Sequence, residues 1–314
     1  MNRVIWGFVC VCICLLRTQV GIAAESEQSQ PREKYALLVG VTRYKVAELN
    51  QLHLEYPETD AQAIGEVLRK SGYKVDLLLG KDANQQAIRA KLKAFTEQGT
   101  EQGVALVGLF GLGCQVASVK ADYFCPFDTT VKSENKQPAT ATPNQTEKKS
   151  RAEDPGSLVS LSEVLDALKS SPAGNRVLLA DCRLKELPGK QAQPFASGLR
   201  ARCREERIAM FVSCAAGQHA IEKKDQGHGK FSKCLLDEFT DSSVTGDANA
   251  ALLAATLQKQ LIKLIADSAP GDIQTLTLFG PESVDLQLCS DSDFARGIAL
   301  FWRFGTDDDA ALAL

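Results

Sequence analysis

The sequence predicts an α/β sandwich in which helices cover both faces of a mostly parallel, six-stranded sheet. Two observations carry this expectation. Short, continuous apolar runs recur along the chain, as in strands buried on both faces. Between them lie segments with apolar residues at helical spacing, opened and closed by polar residues, Pro or Gly. In open sheets of this kind, binding sites lie beyond the carboxyl ends of the strands.

The first strand is Tyr35-Ala36-Leu37-Leu38-Val39-Gly40-Val41. Pro57-Glu58-Thr59-Asp60 opens a helix whose inner face is Ala63, Ile64, Val67 and Leu68, and Lys70-Ser71-Gly72 ends it. A second strand follows at Lys74 to Leu79, and Asn84 starts a helix carrying Ile88, Leu92 and Phe95. The third strand, Val104 to Phe110, stops at Gly111, and a short Tyr123-Phe124-Cys125-Pro126 segment follows. Residues 131–155 are polar, without apolar periodicity, and read as a disordered surface loop inserted into the domain. Within it, Asn144-Gln145-Thr146 is a formal glycosylation sequon. The alternation then resumes: a helix from Ser160 to Leu168, strands Arg176 to Ala180 and Ile208 to Ser213, helices Lys230 to Phe239 and Asn249 to Ala266, and a last strand from Gln274 to Phe279.

Residues 1–24 read as a secretory signal, with Arg3 ahead of an apolar stretch from Val4 to Leu16 and Ile22-Ala23-Ala24 at its exit. The protein is therefore expected to be secreted or periplasmic, and membrane-bound only if this segment stays uncleaved. Its removal takes Arg3 and Arg17 but no acidic residue, so the net charge moves from −3 to −5. That balance speaks against a nucleic-acid partner. Seven of the ten cysteines remain after cleavage, an odd number with no CxxC pair, which argues against a zinc site. No metal or other cofactor is expected. Residues 286–314 form a C-terminal extension of unassigned role.

Six blocks of sequence are similar, in order, to the caspase/metacaspase superfamily of cysteine peptidases, and to its bacterial secreted members in particular. They are the first strand with its turn through Val41-Thr42-Arg43-Tyr44, Thr59-Asp60-Ala61, Ser71-Gly72-Tyr73-Lys74-Val75, Tyr123 to Asp128, Ser213-Cys214-Ala215-Ala216-Gly217-Gln218, and His228-Gly229-Lys230-Phe231. The resemblance covers residues 33–285 and implies a caspase-like three-layer αβα domain. It also implies a mechanism in which a Cys thiolate attacks the scissile carbonyl with help from a His.

Both positions depart from the family pattern. Phe110-Gly111-Leu112-Gly113 keeps the two glycines of the His motif but has Leu112 in the His slot. Val177-Leu178-Leu179-Ala180-Asp181 matches the approach to the nucleophile; without a gap, Arg183 then takes the nucleophile slot and Cys182 falls on a variable position. A one-residue gap would restore Cys182 as an alternative nucleophile, although a slip of one residue turns a strand side chain to the opposite face. The family's basic-residue pocket is implied at Asp60 and Asp181. Competing structural roles are a helix cap at Asp60 and an internal ion pair between Asp181 and Arg183. Gly227-His228-Gly229 spells the His motif out of context and reads as a loop before a helix; His53 and His219 have no catalytic context.

Three functions follow. The first is a pseudopeptidase that binds a peptide or a protein, an active relative among the candidates. The second is an Arg/Lys-directed cysteine endopeptidase using Cys182 with a non-standard base such as His228. The third is a structural paralogue without a working pocket.

Overall fold

The structure is a computed structural model and describes residues 33–116, 121–132, 152–153, 155–184, 195–215, 218, 220–223, 227–240, 250–266 and 274–280. The leader, the C-terminal extension, His219 and most of the 131–155 insertion lie outside the described residues. Of that insertion, two short strands, β5 (Val131–Lys132) and β6 (Ala152–Glu153), pair antiparallel with each other.

The central sheet runs β12-β9-β8-β3-β1-β2. Its members are β1 (Lys34–Gly40), β2 (Lys74–Leu79), β3 (Val104–Val116), β8 (Asn175–Leu184), β9 (Ile208–Val212) and β12 (Thr277–Phe279). All neighbours in this path are parallel except β12, which is antiparallel to β9. The expected six strands are thus present, and two short ones extend them: β4 (Ala121–Phe124) on β3, and β7 (Val159–Ser160) on β4. A separate ribbon pairs β10 (Glu222–Lys223) with β11 (His228–Gly229).

Helices cover both faces. Ile88, Leu92 and Phe95 of α2 (Gln85–Phe95), Val164, Leu165 and Leu168 of α3 (Leu161–Ser170), and Cys203 of α4 (Arg200–Glu205) pack on one side with Leu37, Val107 and Leu178 of the sheet. Ile64 and Leu68 of α1 (Pro57–Lys70), Phe231 and Leu235 of α5 (Lys230–Thr240), and Leu257 and Leu261 of α6 (Ala250–Ala266) pack on the other with Leu38, Leu106 and Leu179. This is the three-layer sandwich read from the alternation of periods. Two predicted helix starts are built by their own side chains: Asn84 Oδ1 accepts from Ala87 N, and Ser160 and Glu163 form a reciprocal capping box at α3.

β3 overruns its expected end at Phe110 by six residues. The glycines that read as a stop are instead a kink inside a continuing strand, because β4 supplies partners from Gly113 to Val116. Gly111 sits at φ +152°, outside the range L side chains favour. The alternation of side chains changes phase there: Leu109 and Leu112 both join the α2/α3 core, whereas Phe110 faces α1. A Cβ at Gly111 would lie 2.8 Å from Tyr44 Oη and 3.1 Å from the Val41 carbonyl. Gly111→Ala is therefore expected to destabilise the fold by about 2–4 kcal/mol in urea unfolding. A loss under about 0.5 kcal/mol would mean that the kink does not require glycine.

Candidate functional site

The site forms where β1, β3, β8 and β9 end. Its first support is the loop between β1 and α1. Thr42 and Glu58 clasp each other across it: Thr42 N donates to Glu58 Oε1 at 3.0 Å, and Glu58 N donates to Thr42 Oγ1 at 3.2 Å. Asn50 holds Tyr44 by both backbone groups. The Tyr44 ring is thereby driven under the end of β3, where its hydroxyl accepts from Leu112 N at 2.7 Å and donates to the Val41 carbonyl at 3.3 Å. Burial raises the phenol well above its ordinary pKa, so it remains a neutral tether.

The ladder between β3 and β8 sets the two motif segments side by side, with Phe110 opposite Asp181, Gly111 opposite Cys182 and Leu112 opposite Arg183. Leu112 is fully buried among apolar side chains, and its N–H is spent on Tyr44. Neither its side chain nor its amide is available to a reacting group. Cys182 points into the same α2/α3 core, 1% exposed, with Sγ 3.8 Å from the Leu109 carbonyl. Burial, and next the neighbouring Asp181, raises its thiol well above the ordinary value, the opposite of what a thiolate nucleophile needs. Cys214, whose Sγ lies 3.8 Å from the Cys182 carbonyl, is likewise pushed up to about 12.

Asp181 and Arg183 face the other way. Together with Asp60, Phe110, Glu222 and Gly229 they line a cavity of about 10 Å³, room for about one water molecule. Asp60 lies one turn into α1 and does not cap it, since Tyr56 is the residue at the cap. Its Oδ2 accepts from Gly229 N at 3.1 Å, and its Oδ1 lies 2.6 Å from His228 Nδ1. Asp181 Oδ2 accepts from Ser232 Oγ at 2.9 Å. The Ser213 hydroxyl, fully buried, lies close enough to favour ionised Asp181 but is not aligned as a hydrogen bond. Glu222 Oε2 accepts from Glu55 N at 2.8 Å.

Three carboxylates share this small cavity, and burial raises the proton affinity of each. Burial first, then Asp181, raises Asp60 to about 8. Burial likewise raises Asp181 and Glu222, with Arg183 opposing the rise at Glu222. His228 is lowered, by burial and then by Lys233. At neutral pH Asp60 and His228 therefore hold one proton between them as an uncharged pair. The ion pair read between Asp181 and Arg183 does not form, nor does Arg183 pair with Asp60; Asp181 is held by Ser232 and Asp60 by His228.

The caspase-domain family model matches residues 33–261 of this chain. The chain belongs to the caspase family. Among solved structures, a protein of Geobacter sulfurreducens is 14% identical and aligns with a TM-score of 0.51, covering 79% of this chain and 94% of that one. Caspase-1 from Spodoptera frugiperda is 9% identical with a TM-score of 0.49, covering 80% and 88%. The Drosophila initiator caspase Dronc is 12% identical with a TM-score of 0.43, covering 79% of each chain. The comparison with curated proteins gives no match.

In this caspase-family domain the structure brings Asp60, Asp181 and Arg183 into one cavity and sends Leu112 and Cys182 to the opposite face. His228, read from sequence as a loop residue, is drawn into the site by the β10–β11 ribbon; His53 is exposed on the first loop. Glu222 and Ser232 belong to the site without a motif that marks them in the sequence. The only sequence signals near them were the His228-Gly229 block and the start of α5, and neither names a contact across the fold.

Because folding raises the Asp60 pKa, the native state binds more protons than the unfolded chain, and this group costs stability progressively as pH rises from about 4 to about 8. Asp60→Asn is expected to gain melting temperature over the parent as pH is raised from 5 to 9, with a limiting slope of about 1.4 kcal/mol per pH unit. Thermal melts across that range provide the check, and a parent–variant difference that does not change with pH would exclude a buried, proton-retaining Asp60.

Proposed function

We propose that this caspase-family chain is a pseudopeptidase, exported by residues 1–24, that holds a basic segment of a peptide or partner protein without cutting it. An active relative is among the partners to be tried. The observation that carries this reading is the pairing of Leu112 with Arg183 across the two central strands. The slots for base and nucleophile hold a hydrocarbon and a guanidinium, and neither can perform proton transfer or nucleophilic attack near neutral pH. Loss of one such group costs about 10⁴–10⁶ in turnover. Cys182 offers no relief, since its thiol sits in the apolar core on the far side of β8 from Asp60 and His228.

Support for a retained binding role lies in the carboxylates. Asp60, Asp181 and Glu222 are desolvated without a full complement of positive charge, and a guanidinium or ammonium group would supply it. The cavity holds about one water molecule, so a guest must widen it, and in this reading the guest takes the place of His228 on Asp60 and releases the shared proton.

Purified protein is expected to leave Arg- and Lys-terminated fluorogenic peptides uncut, with Cys182→Ala indistinguishable from the parent. Hydrolysis that Cys182→Ala abolishes would reverse the reading. Titration with an Arg-containing peptide that carries a non-hydrolysable bond should give an affinity that climbs with pH, by up to about tenfold per unit below pH 8, and then levels as Asp60 loses its proton unaided. An affinity that falls over this range, or no binding at any pH, would rule out the acidic cavity as the basic-group site.

A further inference from the structure

The exit of β3, just beyond Leu112, carries a feature that the degenerate catalytic slots do not use. Cys114 lies on β3, and Cys125 is the first residue after β4. The antiparallel ladder pairs Gly113 with Phe124, and Cys125 N donates to the Leu112 carbonyl at 3.0 Å. This places the two cysteines diagonally across the pair. Both side chains enter the same core, each 1% exposed, and their sulfurs lie 3.9 Å apart with the Cys125 thiol directed at Cys114. A disulfide requires sulfurs near 2.05 Å, so about 1.9 Å of closure, by side-chain rotation together with a shift of the strand exit, would join them.

We propose that Cys114 and Cys125 are a disulfide site that staples the exit of β3 to the end of β4. The reaction is an exchange with a disulfide oxidant such as oxidised glutathione. One thiolate attacks a sulfur of the oxidant and expels a glutathione thiol; the second thiolate then attacks the mixed disulfide and expels the other glutathione. The two cysteine sulfurs are oxidised, two glutathione thiols form, and the two thiol protons pass to the leaving sulfurs. Since both cysteines are buried, oxidation takes place during folding or local opening of the strand exit.

The bond lies beside the ring of Tyr44, whose proton affinity is raised by burial first and then by Cys125 and Cys114 among its neighbours, and Cys114 is two residues along β3 from Leu112, whose amide this ring holds. It would therefore lock the frame of the vacated His slot. The closed loop, residues 114–125, is short enough that the cross-link is expected to raise the melting temperature by about 5–10 °C.

The test uses the full chain, refolded in a glutathione buffer at the oxidising ratio of a secretory compartment, then acid-quenched, denatured, alkylated without reductant and mapped by mass spectrometry. The expected result is a cross-linked peptide joining Cys114 to Cys125, two hydrogens lighter than the separate peptides, with Cys203 and Cys234 alkylated. Alkylation of both Cys114 and Cys125, or either one joined to another cysteine, would overturn the assignment. In parallel melts, reductant should lower the melting temperature of the oxidised parent and leave a Cys114→Ala/Cys125→Ala variant unmoved. Equal shifts in both proteins would also overturn it.

Discussion

The register between β3 and β8 is the constraint on which the site depends. These two central parallel strands pair over ten consecutive positions, from Val104 with Asn175 to Gly113 with Leu184. With helices packed on both faces, neither strand can slip by one residue without exchanging its two sets of side chains. Asp181 and Arg183 are thereby assigned to the α1/α5 side, and Cys182 to the α2/α3 core. The thiol's chemical fate is decided by that parity before any local electrostatic effect acts. The pKa shift is a consequence of the face on which the strand places it.

On the opposite face the governing quantity is the cost of desolvated negative charge. Asp60, Asp181 and Glu222 share a space that holds about one water molecule, and the protein manages their charge by several means. Asp60 keeps or shares a proton with His228 and accepts from the Gly229 amide. Asp181 accepts from the Ser232 hydroxyl. Glu222 is eased by the Glu55 amide and by the field of Arg183. These means neutralise the cluster only in part. A small cavity whose negative charge is only partly offset still favours a positive group.

The sequence carried the sandwich because its strands are continuous apolar runs and its helices have caps that act locally. Asn84 and Ser160 each bond to the backbone three residues away, and the spacing of Ile88, Leu92 and Phe95 is a property of one helix. That Leu112 and Arg183 lie at the ends of two central apolar runs was legible for the same reason: each run is fixed within its own strand. The overrun of β3 was not, because it depends on pairing with β4. Nor was the place of His228, which meets Asp60 across 168 residues of chain through a two-residue ribbon that has no periodicity to read. The alternative of an Asp181–Arg183 pair is decided by geometry that a sequence does not hold: the carboxylate's hydrogen bond comes from Ser232 on α5.

Gly111, just ahead of Leu112, has a structural explanation that does not involve catalysis. Gly111 provides the φ that changes the phase of β3 and leaves space for the Tyr44 hydroxyl, and that hydroxyl binds the Leu112 amide. This arrangement turns Leu112 into the core and holds it there by its backbone amide. A motif frame of this kind is maintained by packing and one buried hydrogen bond, each worth about 1 kcal/mol or more to the fold. The glycine at 111 is thus accounted for by the stability of the strand end, independently of any chemistry at position 112.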